Sequence, residues 1–177
     1  AEAEVFFAVF LATAIILSVN GSLASRFARS PSTQHPADFE WKRMGLVTWP
    51  DVLEFMQYRL PWRIVIAGGA GVLAMLVAWG EAHNWGVFLR FLYQVPYGAN
   101  DPLYDNDIGF YLFSLPAYVV IKNWMLLTLF LSALFAGAVY WVHGDIQYDA
   151  HRRSMSPTAI AHGSVLLGFF FAVKAWS

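Results

Sequence analysis

The chain contains no cysteine, which excludes disulfides, thiol catalysis and any cysteine-ligated zinc or iron–sulfur centre built by this chain alone. Charge is scarce as well: 13% of the 177 residues are charged and the formal net charge is -1. That balance lacks the basic surface with which proteins attract nucleic acid, so no nucleic-acid partner is expected. Catalytic signatures are missing too. There is no G-x-S-x-G and no H-E-x-x-H, and HGSVLLG at 162–168 offers a serine without an assigned base, so no enzymatic activity is expected of this segment. What is abundant is apolar: 58% of residues are hydrophobic, 18% aromatic, and the mean hydropathy is +0.49, well beyond the balance of a soluble domain.

The apolar residues are gathered into runs long enough to cross a hydrocarbon core, which needs about 20 helical residues. Between Glu4 and Arg26 stand 21 uncharged residues, in which Thr13 and Ser18 can bond back to helix carbonyls; 17 follow Arg63 and 20 run from Asn123 to Val142. A fourth run starts at Ser156, a suitable N-cap, with Pro157 at the first helical position, where its missing N–H is harmless. The expected architecture is an all-α, polytopic membrane domain over residues 1–177. Its spans are placed near 5–25, 64–82, 120–142 and 156–174, with short interfacial helices between them. The first run is read as a mature helix, because two glutamates precede it and no A-x-A-like cleavage site follows.

Basic residues set the expected orientation. Arg26, Arg29, Lys42, Arg43, Arg59 and Arg63 crowd the first loop, Arg152 and Arg153 lie in the third, and the second has Arg90 against Asp101, Asp105 and Asp107. Short loops rich in Lys and Arg stay in the cytoplasm, so the N-terminus, the acidic loop and the C-terminus are expected outside. TWPDVLEFMQYRLPW, with Asp51, Glu54 and Gln57 on one helical face, predicts an interfacial helix between Trp49 and Trp62. Asn84–Pro96 predicts a second. Small residues at helical spacing predict close packing: Ala70, Ala74 and Ala78; Ala133 and Gly137; Ser164, Gly168 and Ala172. GGAG at 68–71 lacks the Lys and Ser/Thr of a phosphate loop and is read as a helix contact or flexible point.

Three places hold candidate chemistry. In NDPLYDNDIG, Asp101, Asp105 and Asp107 stand within seven residues. They suit an Asx-capped turn, or a Ca or Mg site in which backbone carbonyls complete an oxygen shell. EF-hand spacing fails. The N-D-x-x-x-D segment is similar to the diphosphate motif of membrane prenyltransferases, but it is one residue too long and has no second acidic motif. Beyond it, IGFYLFSLPAYVVI is uncharged yet interrupted by Pro116, which predicts an aromatic collar, or a re-entrant path, before the third span begins. His162 is the one histidine well inside a span and is expected to bond a neighbouring helix, with proton relay as the alternative. Haem ligation would need a partner at its depth, and His143 lies about 7 Å shallower. His143, Asp145, Asp149 and His151 match no zinc spacing.

Residues 85–146 carry a long signature: WGVFLRFLYQVPYGANDPLYDNDIGFYLFSLPAY, then YWVHGDI. The F-L-x-F loop, the P-Y-G turn, D-P and D-I-G-F-Y-x-F-x-L-P make this chain resemble uncharacterised protein family 0182, and SMSPTAIAHGSVLLGFFFAVKAWS is similar to the next family helix. Asp105 departs from the pattern, standing where glycine is frequent. The resemblance implies a bacterial inner-membrane protein in which several helices precede a large extracytoplasmic domain, and this chain would be an internal piece of it, from the second family helix to the fifth. The function expected is a non-catalytic scaffold or membrane subunit, partnered by the lipid bilayer and by other subunits or the rest of its own chain. The alternatives are a transporter or lipid-handling role, and a metal-dependent enzyme using the outer aspartates. Transport is disfavoured by the few mid-span polar residues, chiefly Thr13, Thr128 and Ser132.

Overall fold

The computed structural model describes residues 2–28, 61–149 and 152–176. Five α-helices account for most of them: α1 (Glu2–Phe27), α2 (Trp62–Glu81), α3 (Trp85–Leu92), α4 (Leu115–Val142) and α5 (Pro157–Ala175). A single 3-10 turn joins α2 to α3, and a π-helical turn, Phe110–Ser114, leads into α4. With those extensions, four helical segments are long and apolar enough to cross a membrane: Glu2–Phe27, Trp62–Leu92, Phe110–Val142 and Pro157–Ala175. α1 packs along α2 and α4, while α5 leans mainly on α4 and touches α1 near its end. The interfacial helix expected between Trp49 and Pro61 lies outside the described residues; Trp62 opens α2.

Close approach depends on small side chains, as expected for helices that lipid does not push together. Ala70, Ala74 and Ala78 are fully buried on α2. On α1, Gly21 is the tightest point: a Cβ there would lie 2.6 Å from the Phe135 ring and 2.9 Å from Ile66. The other edge of the same ring faces Gly69, where a Cβ would meet it at 3.0 Å. Phe135 is therefore a knob held between two glycines on two helices, and Gly69 gives the GGAG run its contact role. The other two expected stripes are not used this way. Ala133, Ser164, Gly168 and Ala172 are exposed, and nothing lies within 4 Å of a Cβ built at Gly137 or Gly168. Those faces of α4 and α5 point away from the bundle, whose core on this side is Ala136, Val139, Tyr140, Ala159 and Leu166.

The third span begins ten residues before the expected start at 120. Pro116 removes an N–H donor, and an α-helix would leave a carbonyl one turn back without its bond. The π turn accommodates this by pairing more widely, with the Leu115 N–H donating to the Phe110 carbonyl five residues back. Pro116 is thus carried within a continuous helical segment and does not break it. Aromatic rings cluster around this start: Tyr118 packs on Phe91, Phe110 and Trp176, with ring centroids 5.8–6.3 Å apart.

A two-stranded hairpin, which the sequence had not suggested, links α4 to α5. β1 (Ile146–Asp149) pairs antiparallel with β2 (Arg152–Met155), Ile146 opposite Met155. α4 ends in a Schellman motif, with Gly144 at φ +78 and N–H groups of Gly144 and Asp145 donating to the carbonyls of Trp141 and Tyr140. Ser156 then caps α5 by accepting the Ala159 N–H at 3.2 Å, with Pro157 next in line.

Candidate functional site

Three helices bring polar side chains together at one depth. Asn20 lies about 10 Å from the end of α1 and His162 about 8 Å from the start of α5, by helical rise. These helices run antiparallel across that end, so the two residues reach the same depth. The His162 Nε2 is 3.1 Å from the Asn20 Oδ1, and its Nδ1 is 3.2 Å from the Tyr140 hydroxyl on α4. The Asn20 amide nitrogen donates to the Ile16 carbonyl at 2.8 Å, which leaves Oδ1 as the acceptor facing the ring. Nε2–H then donates to Asn20, and Nδ1 pairs with the Tyr140 hydroxyl, so both ring nitrogens are used. Tyr140 is 2% exposed. The arrangement ties α1, α4 and α5 together, and it is the interhelical bond expected of His162.

His143 is engaged elsewhere: its Nδ1 donates to the Val139 carbonyl at 2.8 Å, and its ring packs on Trp62, centroids 4.5 Å apart. A second interhelical bond lies toward the other end, where the Trp124 indole donates to the Thr13 hydroxyl at 3.0 Å. Thr13, Thr128 and Ser132 are all at most 1% exposed. They face the bundle interior and line no open path among the described residues.

The acidic turn is a compact loop at the opposite end from His162. An antiparallel bridge joins Asn100 to Asp107, and the carboxylates are directed at donors within the loop. Asp107 accepts N–H groups from Tyr97 and Gly98 at 3.1 Å and from Gly109 at 2.6 Å. These bonds, that of Tyr97 foremost and then those of Gly109 and Gly98, hold its carboxyl below the usual carboxylate range. Asp101 accepts the Tyr104 N–H at 3.1 Å and the Tyr111 O–H at 3.2 Å, and Asp105 accepts from the Asn100 amide at 3.0 Å. Asp105 is the one described non-glycine residue at positive φ, +54. Aspartate tolerates that left-handed backbone better than most non-glycine residues. Among the described residues no three metal-ligating side chains converge. Pro116 sits just beyond Ser114, whose hydroxyl donates to the Gln94 side chain at 2.8 Å and so ties the π turn to the loop after α3.

Asn20 and Tyr140 had no place among the sequence candidates. Matching intramembrane polar residues by their depth from the helix ends would have paired Asn20 with His162.

These features belong to a defined class of helical protein with four membrane-span-capable segments. The particular family follows from comparison: residues 1–177 match the uncharacterised protein family UPF0182 over their whole length, and the chain belongs to that family. A UPF0182 protein of Bradyrhizobium diazoefficiens is 64% identical over 177 residues, covering all of this chain and 19% of the relative. One from Cupriavidus necator is 44% identical over 176 residues, 99% of this chain and 18% of the relative. One from Thermobifida fusca is 27% identical over 168 residues, 95% and 15% respectively. The chain therefore spans about a fifth of the length of the first two curated relatives. No solved structure matches it.

Proposed function

We propose that this chain is a non-catalytic scaffold of a multi-pass protein in the bacterial inner membrane, docking further helices of its own protein or of partner subunits. The observation that carries the reading is the Asn20–His162–Tyr140 clasp, in which the intramembrane histidine is committed to holding three helices together. The exposed small residues Ser164, Gly168 and Ala172 on α5, flanked by exposed Phe169 and Phe171, are of the kind a further helix packs against. The distribution of Lys and Arg supports an extracytoplasmic N-terminus.

This chain carries no cysteine of its own. Gly168→Cys, paired in the intact protein with a cysteine placed on a further helix, is expected to crosslink efficiently in the membrane under oxidation. Gentle extraction with mass spectrometry of the sized complex identifies that helix. A monodisperse species without protein partners, in which Gly168→Cys is labelled freely by a lipid-phase maleimide, would overturn the reading.

A further inference from the structure

Two hydroxyls inside the bundle stand apart from the bonds described above. Thr128 is 1% exposed and Ser132 0%, and among the described residues neither the Thr128 Oγ1 nor the Ser132 Oγ has a hydrogen-bond partner. Even the carbonyl one turn back, the usual outlet for a helical hydroxyl, is not used. Burying a hydroxyl without a bond is costly, and native structures satisfy nearly all such groups with protein or ordered water. Their spacing points to what satisfies them. Both lie on α4 four residues apart, on one face of the helix. One turn toward the acidic-turn end, that face carries the Trp124 indole, bonded to Thr13; two turns the other way it carries the Tyr140 hydroxyl, paired with His162. Trp124, Thr128, Ser132 and Tyr140 thus form a polar row interrupted by Ala136, with bonded ends and two unmatched members between them.

Residues four apart on a helix have Cβ atoms about 5–6 Å from each other. Hydroxyls held there do not bond directly, but both can reach one oxygen between them, because two O–H···O bonds of about 2.8 Å span up to about 5.6 Å. Water is the oxygen that fits. It accepts from one hydroxyl and donates to the other, and the second lone pair of an α4 carbonyl completes the roughly three bonds typical of a buried water. An ion fits less well, since no side chain of the row is a carboxylate or a cation. We infer that Thr128 and Ser132 hold one internal water on the face of α4 that packs against the bundle, closing the row between its two bonded ends. The inference is independent of the scaffold reading, since it concerns the interior of the bundle itself.

The test is solid-state NMR of the intact protein in bilayers, with magnetisation transferred from water. Transfer is expected to reach the Thr128 methyl, and to fall about twofold in Ser132→Ala, where one of the two anchoring hydroxyls is gone. No transfer in the unaltered protein, or transfer unchanged in Ser132→Ala, would overturn the site. Stability gives a second readout. Thr128→Val and Ser132→Ala each leave the water with one hydroxyl, and each is expected to lower Tm in detergent by about 2–4 °C, the scale of one hydrogen bond. The double variant, in which no hydroxyl is left to satisfy, should fall no further than the lower of the two single variants. A raised Tm in Thr128→Val would reveal an orphan hydroxyl, and fully additive losses would reveal two independent bonds; either result would overturn the shared water. If a variant does not fold, the transfer measured on the unaltered protein still decides the matter.

Discussion

Asp107 shows how one side chain can organise a loop. Three backbone N–H groups converge on its carboxylate, and together they favour the charged form. Because its folded pKa lies below the unfolded one, the stabilisation is fully present above the ordinary carboxylate range and is lost as pH falls through the folded value. Hydrogen exchange should therefore find the Tyr97, Gly98 and Gly109 amides protected at neutral pH and deprotected only below the ordinary carboxylate range. In Asp107→Asn the same amides should exchange fast at neutral pH; unchanged protection there would refute the knot. The acidic spacing was visible in the sequence, and so was an Asx turn. Which aspartate would gather the donors was not, because that depends on Tyr97, ten residues away, being folded back across the Asn100–Asp107 bridge.

At the level of the helices, the decisive contact is the Phe135 ring between Gly21 and Gly69. Alanine is favoured over glycine in a helix by about 1 kcal/mol, whereas overpacking costs about 1–3 kcal/mol. The ring is boxed on both edges, so overpacking wins, and Gly21→Ala is expected to lower stability in detergent by about 1 kcal/mol. In a Phe135→Leu background, where the ring is gone and only the Ile66 contact at 2.9 Å remains, the same substitution should cost less. A stabilising Gly21→Ala in the native background would show that the ring is not clamped. Lengths and apolar runs made all four membrane-span-capable helices legible, along with the Ser156–Pro157 start of α5. The small-residue stripes were legible only on α2, because spacing reports that a face is smooth without reporting what lies opposite it. Pro116 misled for a related reason: proline forbids one hydrogen bond, and the π turn satisfies the chain by another.

For the molecule as a whole, the clasp joins α1 to α5, alongside the bond from the Thr158 hydroxyl to the Phe27 carbonyl at 3.3 Å. Removing His162 leaves the Asn20 and Tyr140 side chains facing an apolar interior, and interhelical bonds of this kind are worth about 0.6 kcal/mol each. His162→Phe should therefore cost about 1 kcal/mol, visible as a lower Tm in detergent. Tyr140→Phe, which forfeits one bond, should cost about half as much. A double-mutant cycle of Asn20→Ala with His162→Ala that shows no coupling would argue against the network. The sequence had singled out His162; its partners were hidden because they come from separate helices.

The two bonded residues Asn20 and His162 stand 142 positions apart. At bacterial translation rates of about 5–20 residues per second, roughly seven to twenty-eight seconds separate their synthesis. Throughout that interval the Asn20 Oδ1 on α1 is without its His162 partner, while the amide nitrogen is already bonded to Ile16 within the helix. The nascent chain therefore carries, for that interval, a side-chain oxygen whose partner has yet to be made.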